Sequence, residues 1–269
     1  MNVFLHNLED YYDYWQSDVY ARYMDRIGWS AIGEPRSYGY ARRVGPVSFV
    51  KYILTDAEPN IASIRDAGHE HGMIYWAPWL RADIPRSWRA HSRFMYVHDW
   101  RQGVSVVDAS YQDKWNVRAR RNFRAFEKSG ATVRFATREE YKAGLAAGLL
   151  PRDLICLFSR KIDALQSEPM AYFVVEYNKG IIGGLATLPY GAISGHISAF
   201  LTQEGKRLNA GTACINAWYR YALDNRIRYL NFGGVWAKGE PREWQGFSEF
   251  KRNFIDGELD LDRAYWKLF

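Results

Sequence analysis

The sequence predicts an α+β protein of two tandem lobes, residues 1–130 and 131–269, each a mixed, mostly antiparallel sheet flanked by helices. Three observations carry this. Apolar runs rich in β-branched and aromatic residues, separated by Gly-bearing turns, sit between stretches of helical spacing. The outline of helix, cap residue and apolar strand ending at small or turn-forming residues occurs in both halves. Between them, Ser129-Gly130 follows a strongly polarised helix and makes a natural joint.

In the first half, "WQSDVYARYMDRIG" predicts a helix with Ser17 as its cap. "YGYARRVGPVSFV" reads as strand and turn, "EPNIASIRDAGHEHG" as a helix ending at Gly72, and "MIYWAPW" as a strand. Residues 113–130, "DKWNVRARRNFRAFEKSG", form the polarised helix. In the second half, Thr137 with Glu140 three residues on is a capping-box signature for a helix start. A second helix, "RDLICLFSRKIDAL", follows Pro151. "AYFVVEY", "IIGGLATLPYG" and "AISGHISAFLT" read as an antiparallel meander, its first turn at Asn178-Lys179-Gly180. "GTACINAWYRYALDNR" is helical, with Asn225 as a left-handed cap, and "IRYLNFGG" is one more strand.

Composition narrows the function classes. With 48% hydrophobic and 25% charged residues the chain is ordinary globular protein. Its 11 Trp and 19 Tyr suit a sizeable binding cleft as well as aromatic-rich cores. A formal net charge of +6 suits a polyanionic partner. Cys156 and Cys214 sit in apolar surroundings without ligand spacing and read as buried free thiols of a reducing compartment. The histidines offer no metal pattern, since His69 and His71, two apart, face different ways on a helix. There is no signal-peptide core and no apolar run of membrane-spanning length, so a cytoplasmic protein is expected.

Two stretches bear chemistry on charge grounds. On the polarised helix, Lys114, Arg118, Arg121 and Lys128 fall on one side, with Arg120 and Arg124 nearby, and Trp115, Ala119, Phe123 and Phe126 lie on another. This is either a solvated face or a phosphate-tracking stripe, because guanidinium forks pair with phosphate oxygens two at a time. "EGKRLNAGTA", positions 204 to 213, opens a helix whose N–H groups favour an anion. N-acetyltransferases of the GNAT type hold coenzyme A pyrophosphate at such a place. Here the motif is approximate, with Ala210 at its glycine position and Thr212 at its last. A Cβ at Ala210 would hinder a pyrophosphate.

A third stretch is "GFSEFKRNF", positions 246 to 254. On a helix Phe247, Phe250, Lys251 and Phe254 share one face, which sets an ammonium group among rings. Lys251 could cover apolar surface with its stem and keep its head in water.

The order of motifs resembles the Fem family of aminoacyl-tRNA-dependent peptidyltransferases, built from two GNAT-like lobes. "QSDVYARYMDRIGW" resembles that family's opening Gln-Ser segment, "RRVGPV" its Pro-Arg-Gly-Pro strand end, and "IRDAGHEHGMIYWAPWLRADIP" its helix, strand and Asp-x-Pro run. "VRARRNFRAFEKSGATV" resembles its basic Arg-x-Asn helix, and "AWYRYALDNRIRYLNFGGV" with "GFSEFKRNF" its last helix-strand unit and closing Phe-Lys motif. No charged heptad stretch matches the helical hairpin that some members insert as a tRNA arm.

The resemblance implies that Phe250 and Lys251 lie at the reacting centre, where a partly desolvated ammonium steadies the oxyanion formed when an amine attacks an aminoacyl ester. Asp83, after a strand, is a candidate base, although an amine can also lose its proton to solvent. Arg43, Arg81 and Arg207 would hold anionic groups of the acceptor, with Trp79 and Trp218 as further substrate-binding residues. Arg118, Arg121, Arg124 and Lys128 would contact tRNA. The co-substrate is then aminoacyl-tRNA, with no metal or other cofactor. The acceptor the resemblance implies is a peptide amine, with a nonribosomal antibiotic peptide, free or borne on a carrier protein, favoured over a peptidoglycan precursor. A coenzyme A-dependent N-acetyltransferase and a non-catalytic RNA-binding module stand as alternatives.

Overall fold

The computed structural model describes residues 11–55, 57–79, 84–90, 101–238, 242, 245–261 and 264–269. A 3-10 turn at Tyr14–Gln16 leads into α1 (Asp18–Arg26), where the Ser17 hydroxyl accepts the Tyr20 N–H at 3.2 Å, the cap expected. Next come β1 (Ser30–Ile32), β2 (Gly39–Val44) and β3 (Val47–Thr55) as a meander, α2 (Ile61–Asp66), β4 (Gly72–Pro78) and β5 (Arg89–Ala90).

From β6 (Arg101–Val106) the chain passes through α3 (Tyr111–Lys114), α4 (Val117–Glu127), β7 (Thr132–Phe135), α5 (Arg138–Ala146) and α6 (Arg152–Ala164). β8 (Ala171–Tyr177), β9 (Gly180–Tyr190) and β10 (Ile193–Leu201) are the predicted meander. The remaining elements are α7 (Gln203–Arg207), α8 (Ala210–Asp224), β11 (Tyr229–Gly234), α9 (Gln245–Lys251), β12 (Gly257–Asp260) and β13 (Tyr265–Leu268).

The strands make two mixed sheets, ordered β1-β2-β3-β4-β13-β5 and β12-β6-β11-β10-β9-β8-β7. β3–β4 in the first and β10–β11 in the second are parallel, and the other recorded pairs are antiparallel. The architecture is α+β with two lobes, as predicted.

Two compact units divide the chain: Met1–Gln102 with Gly234–Gln245 and Leu259–Phe269, and Gly103–Gly233 with Gly246–Glu258. The sequence reading placed its joint at residue 130. The division differs because contacts distant in sequence make it. β13 pairs with β4, Tyr265 opposite Trp76, and α4 buries Ala119 and Phe126 in the core of the second unit.

In the first unit Gln16, 1% exposed, acts as a structural staple. Its amide nitrogen donates to the Ile53 and Tyr38 carbonyls at 2.6 and 3.1 Å, and its oxygen accepts the Tyr38 N–H at 2.7 Å. A buried amide has to be paired in this way or it costs stability. The "QS" of the opening segment is therefore a staple and a cap. The core of the second unit joins α4, α8 and the sheet through Trp115, Phe126, Phe173, Trp218, Tyr219, Phe232 and Phe254.

Several helix ends depart from the reading. The capping box at Thr137 and Glu140 is present, with both reciprocal bonds. Residues 113–130 are not one helix. Trp115 turns extended, and the Asn116 side chain accepts the Ala119 N–H at 2.9 Å to start α4 afresh. α2 stops at Asp66, where the Gly68 N–H closes on the Arg65 carbonyl at 2.7 Å, so Gly72 begins β4 instead of ending a helix. The left-handed residue after α8 is Arg226, at φ 57°, not Asn225.

A Cβ on Gly205 would lie 1.9 Å from the Ile182 carbonyl oxygen, so α7 must shift away from β9 to admit it. Gly205→Ala is expected to destabilise by about 1–3 kcal/mol in chemical denaturation. At Gly180 the nearest atom would be 3.6 Å away, and Ala there is expected to be near neutral. Cys214 is buried as expected, and burial pushes its thiol up to about 12, whereas Cys156, expected to be buried, is exposed on α6. Ellman's reagent should therefore titrate Cys156 alone in the folded chain and both thiols after denaturation.

Candidate functional site

In the second unit the C-terminus of α9 is tied to the N-terminus of α4. The Asn116 N–H donates to the Asn253 carbonyl at 3.1 Å, and the Asn116 side-chain amide donates to the Asn253 side-chain oxygen. The Asn253 amide in turn donates to the Glu249 and Phe250 carbonyls, at 3.0 Å each, satisfying the last turn of α9. Trp115, fully buried, meets the edge of Phe254 with centroids 5.0 Å apart, and Phe254 meets Phe250 at 5.0 Å. Polar and aromatic contacts thus hold the basic helix and the Phe-Lys segment together.

Between them lies a cavity of about 130 Å³, lined by residues that include Arg118, Asn122, Thr212, Glu249, Phe250 and Asn253. A guanidinium, two amides, a hydroxyl and a carboxylate meet one aromatic face here. Arg118, Arg121, Arg124 and Lys128 are all exposed, and among the described residues none of the four pairs with a carboxylate.

Lys251 ends α9 and is half-buried. Its Nζ lies 4.0 Å from where a side chain on Gly233 would begin. Gly233 is in the part of β11 that no longer pairs with β10. The parallel pairing ends at Gly195 opposite Asn231, while β10 continues to Leu201 and β11 to Gly234. His196 is the first residue of β10 past that point. Burial first, then the positive charges of Lys251 and Lys161, lower its imidazole to about 3.

The three rings around Lys251 are not equivalent. Phe254 is core, Phe250 is half-buried and Phe247 is 57% exposed, because α9 ends at Lys251 and Phe254 follows in a turn.

The other predicted residues are dispersed. Trp218 is fully buried in the core, its indole N–H donating to the Ser194 hydroxyl at 2.8 Å, so it offers no binding surface. Arg207 is exposed and forks onto Glu204, with its Nε 2.9 Å from the carboxylate. Arg43 belongs to the first unit and donates to the Gly68 carbonyl at 2.5 Å. Trp79, also there, stacks on Tyr11 at 5.8 Å. Asp83 and Arg81 lie outside the described residues.

The first bonds at the start of α8 are the ordinary ones of a helix. The Thr212 and Ala213 N–H groups donate to the Asn209 carbonyl at 3.0 and 3.4 Å. A Cβ on Gly211 would sit 3.2 Å from the Phe250 ring, so that glycine is what lets the ring lie against the helix. Ala210 is fully buried and faces Gly183, so its methyl does not stand where an incoming anion would approach. Among the described residues no His, Cys, Asp and Glu cluster could hold a metal, and no helix is long and apolar enough to cross a membrane.

No protein-family model matches the sequence, and no curated protein matches it significantly. Solved structures do match. That of FemX superposes with a TM-score of 0.74 at 12% identity, over 96% of this chain and 92% of that one. This chain has the FemX fold. The C-terminal domain of a putative lysylphosphatidylglycerol synthetase from Agrobacterium fabrum gives 0.56 at 12% identity, over 94% of this chain and 88% of that one. L-PGS from Bacillus licheniformis gives 0.56 at 11%, over 91% and 86%. The expected likeness to Fem proteins is thus present as fold, and the FemX fold spans both units.

Sequence reasoning missed Asn116, Asn122, His196, Glu249 and Asn253. Asn116 carried a usable signal, a cap residue three positions before Ala119 on an apolar helix face. Asn253 and His196 carried none, since a turn after a helix and a bulge in a strand leave no periodic mark.

The junction generates a stability expectation. Asn253→Ala, which removes the side-chain bonds of the junction and leaves the backbone bond, should cost about 1–2 kcal/mol and raise amide exchange in both helices. An unchanged exchange pattern would show that the backbone bond and the aromatic contacts hold the helices without it.

Proposed function

We propose that the chain is an aminoacyltransferase that uses aminoacyl-tRNA to form a peptide bond on the free amine of a peptide acceptor. One observation carries the reading: in a FemX fold, Arg118 of the basic helix and Phe250 of the Phe-Lys helix line one cavity, with Lys251 next along. The exposed row Arg121, Arg124 and Lys128 continues outward from that cavity and would track the RNA backbone, since cationic side chains replace condensed counterions on phosphates.

In this reading the 3′-terminal ester enters beside Phe250. The Lys251 ammonium, half-buried and close to Gly233, faces the ester carbonyl and stabilises the oxyanion of the tetrahedral intermediate. The ester is already activated, so positioning and charge carry the step. Arg207 would first have to leave Glu204 before it could meet an anionic group of the acceptor.

Against the coenzyme A alternative, the Phe250 ring lies close to Gly211 in the first turn of α8, where a pyrophosphate would be held. Chain length does not separate antibiotic from peptidoglycan acceptors, since the superposition covers 92% of FemX.

The test is a transfer assay with labelled aminoacyl-tRNA pools, with and without RNase. It offers peptide amines, a peptidoglycan precursor, phosphatidylglycerol vesicles and acetyl-CoA in parallel. Label should reach a peptide amine only while the RNA is intact. Label arriving only from acetyl-CoA, or only on the lipid, contradicts the proposal. Lys251→Ala should lower the transfer rate on the order of 100-fold with tRNA affinity little changed. Arg121→Glu should do the reverse, weakening binding and flattening its salt dependence.

A further inference from the structure

One face of the first sheet is covered over part of its length and open over the rest. Side chains alternate across a strand, so the register tells which residues stand together. Tyr40, Lys51, Tyr75 and Trp266 lie opposite one another across β2, β3, β4 and β13 and make one row. Tyr40 and Tyr75 are buried, and the Lys51 ammonium lies over the Trp29 and Trp15 rings, 4.3 and 5.4 Å from their centroids. The next row outward on that face is Arg42, Phe49, Met73 and Leu268. Beyond it Val44 pairs with Val47 at the tip of the β2–β3 hairpin.

Cover stops between the first row and the second. Val44 is 58% exposed, Val47 42%, Phe49 36% and Leu268 72%, with Met73 half-buried. The residues that alternate with them, among them Ala41, Val50 and Ile74, are buried in the core on the opposite face. That core fixes the register, and the register fixes what the open face shows. Neighbouring strands run about 5 Å apart, so the five apolar side chains form one patch rather than scattered surface residues.

The charge at this end of the sheet is cationic. Arg42, in the second row, is exposed and pairs with no carboxylate among the described residues. Arg43, on the opposite face, donates to the Gly68 carbonyl, a neutral partner that leaves its charge in place. Residues 42–49 hold two arginines and no acid. Glu70 is the acid of the neighbouring loop, whose His71 carbonyl accepts the Ser48 N–H at 3.0 Å.

We propose that this open face, with Arg42 and Arg43 beside it, docks the chain on an anionic lipid surface. Apolar side chains enter the boundary between headgroups and acyl chains, and the guanidinium groups meet headgroup phosphates. The formal net charge of +6 adds long-range attraction to the same surface. Trp29 and Trp266, both half-buried at the covered row, border the patch, and indole rings favour such a boundary. A protein partner fits less well, because a stable interface takes about 20–30 residues a side. The surface belongs to the first unit and is independent of the transferase reading.

The test is sedimentation of the whole chain with vesicles of phosphatidylcholine alone, and of equal parts phosphatidylcholine and phosphatidylglycerol. The chain should bind the mixed vesicles, bind the neutral ones far more weakly, and come off as salt rises. Val44→Asp and Leu268→Asp, both outside the core clusters, should each lower affinity on the order of tenfold with thermal unfolding unchanged. Arg42→Glu should weaken binding and flatten its salt dependence.

Absence of binding to the mixed vesicles at low salt overturns the proposal. So does binding that Arg121→Glu abolishes and Leu268→Asp leaves intact, since the lipid would then lie on α4. Sedimentation equilibrium without lipid tests a second copy as the occupant. A dimer that Val44→Asp dissociates, in a chain that binds no vesicles, assigns the face to that copy and overturns the lipid reading.

Discussion

The junction between Asn116 and Asn253 is the contact on which the site depends. Two hydrogen bonds join the start of α4 to the end of α9, and the edge-to-face pair of Trp115 and Phe254 seals them from the core side. Each bond is worth about 1 kcal/mol, yet together they fix where a guanidinium row and an ammonium group stand relative to each other. Without the junction, Arg118 and Phe250 would belong to two separate helix ends. With it, they share one cavity.

Charge then gives the cavity a direction. The basic row of α4 is exposed and pairs with no acid among the described residues, so its like charges repel one another unless an anion lies against them. Lys251 and His196 lie beside the point where the pairing of β10 and β11 ends. Phe250 belongs to both features. Its ring lines the cavity and lies close to Gly211 at the head of α8.

Much of the fold was legible in local pattern. The capping box at Thr137, the meander of β8 to β10 and the Ser17 cap are short-range chemistry and appear as expected. Features set by distant partners were not legible. The division of the chain follows from β13 joining β4, a pairing across nearly 190 residues with no trace in either segment alone. Trp218 carries an indole N–H that could have served a ligand, and only Ser194 on a neighbouring strand reveals it as core. The face shared by Phe247, Phe250 and Phe254 assumed one helix, which stops at Lys251. The basic residues and the Phe-Lys pair were visible as composition and resemblance. Their meeting required Asn116 to break one predicted helix into two.

The account stands on α4 and α9 acting as one RNA-binding and ester-holding element. Hydrogen–deuterium exchange with a charged tRNA acceptor minihelix tests this most directly. Residues 117–127 and 245–254 should be protected together, and Asn253→Ala should uncouple them. Protection of the basic helix alone, with the Phe-Lys segment unaffected, would contradict it.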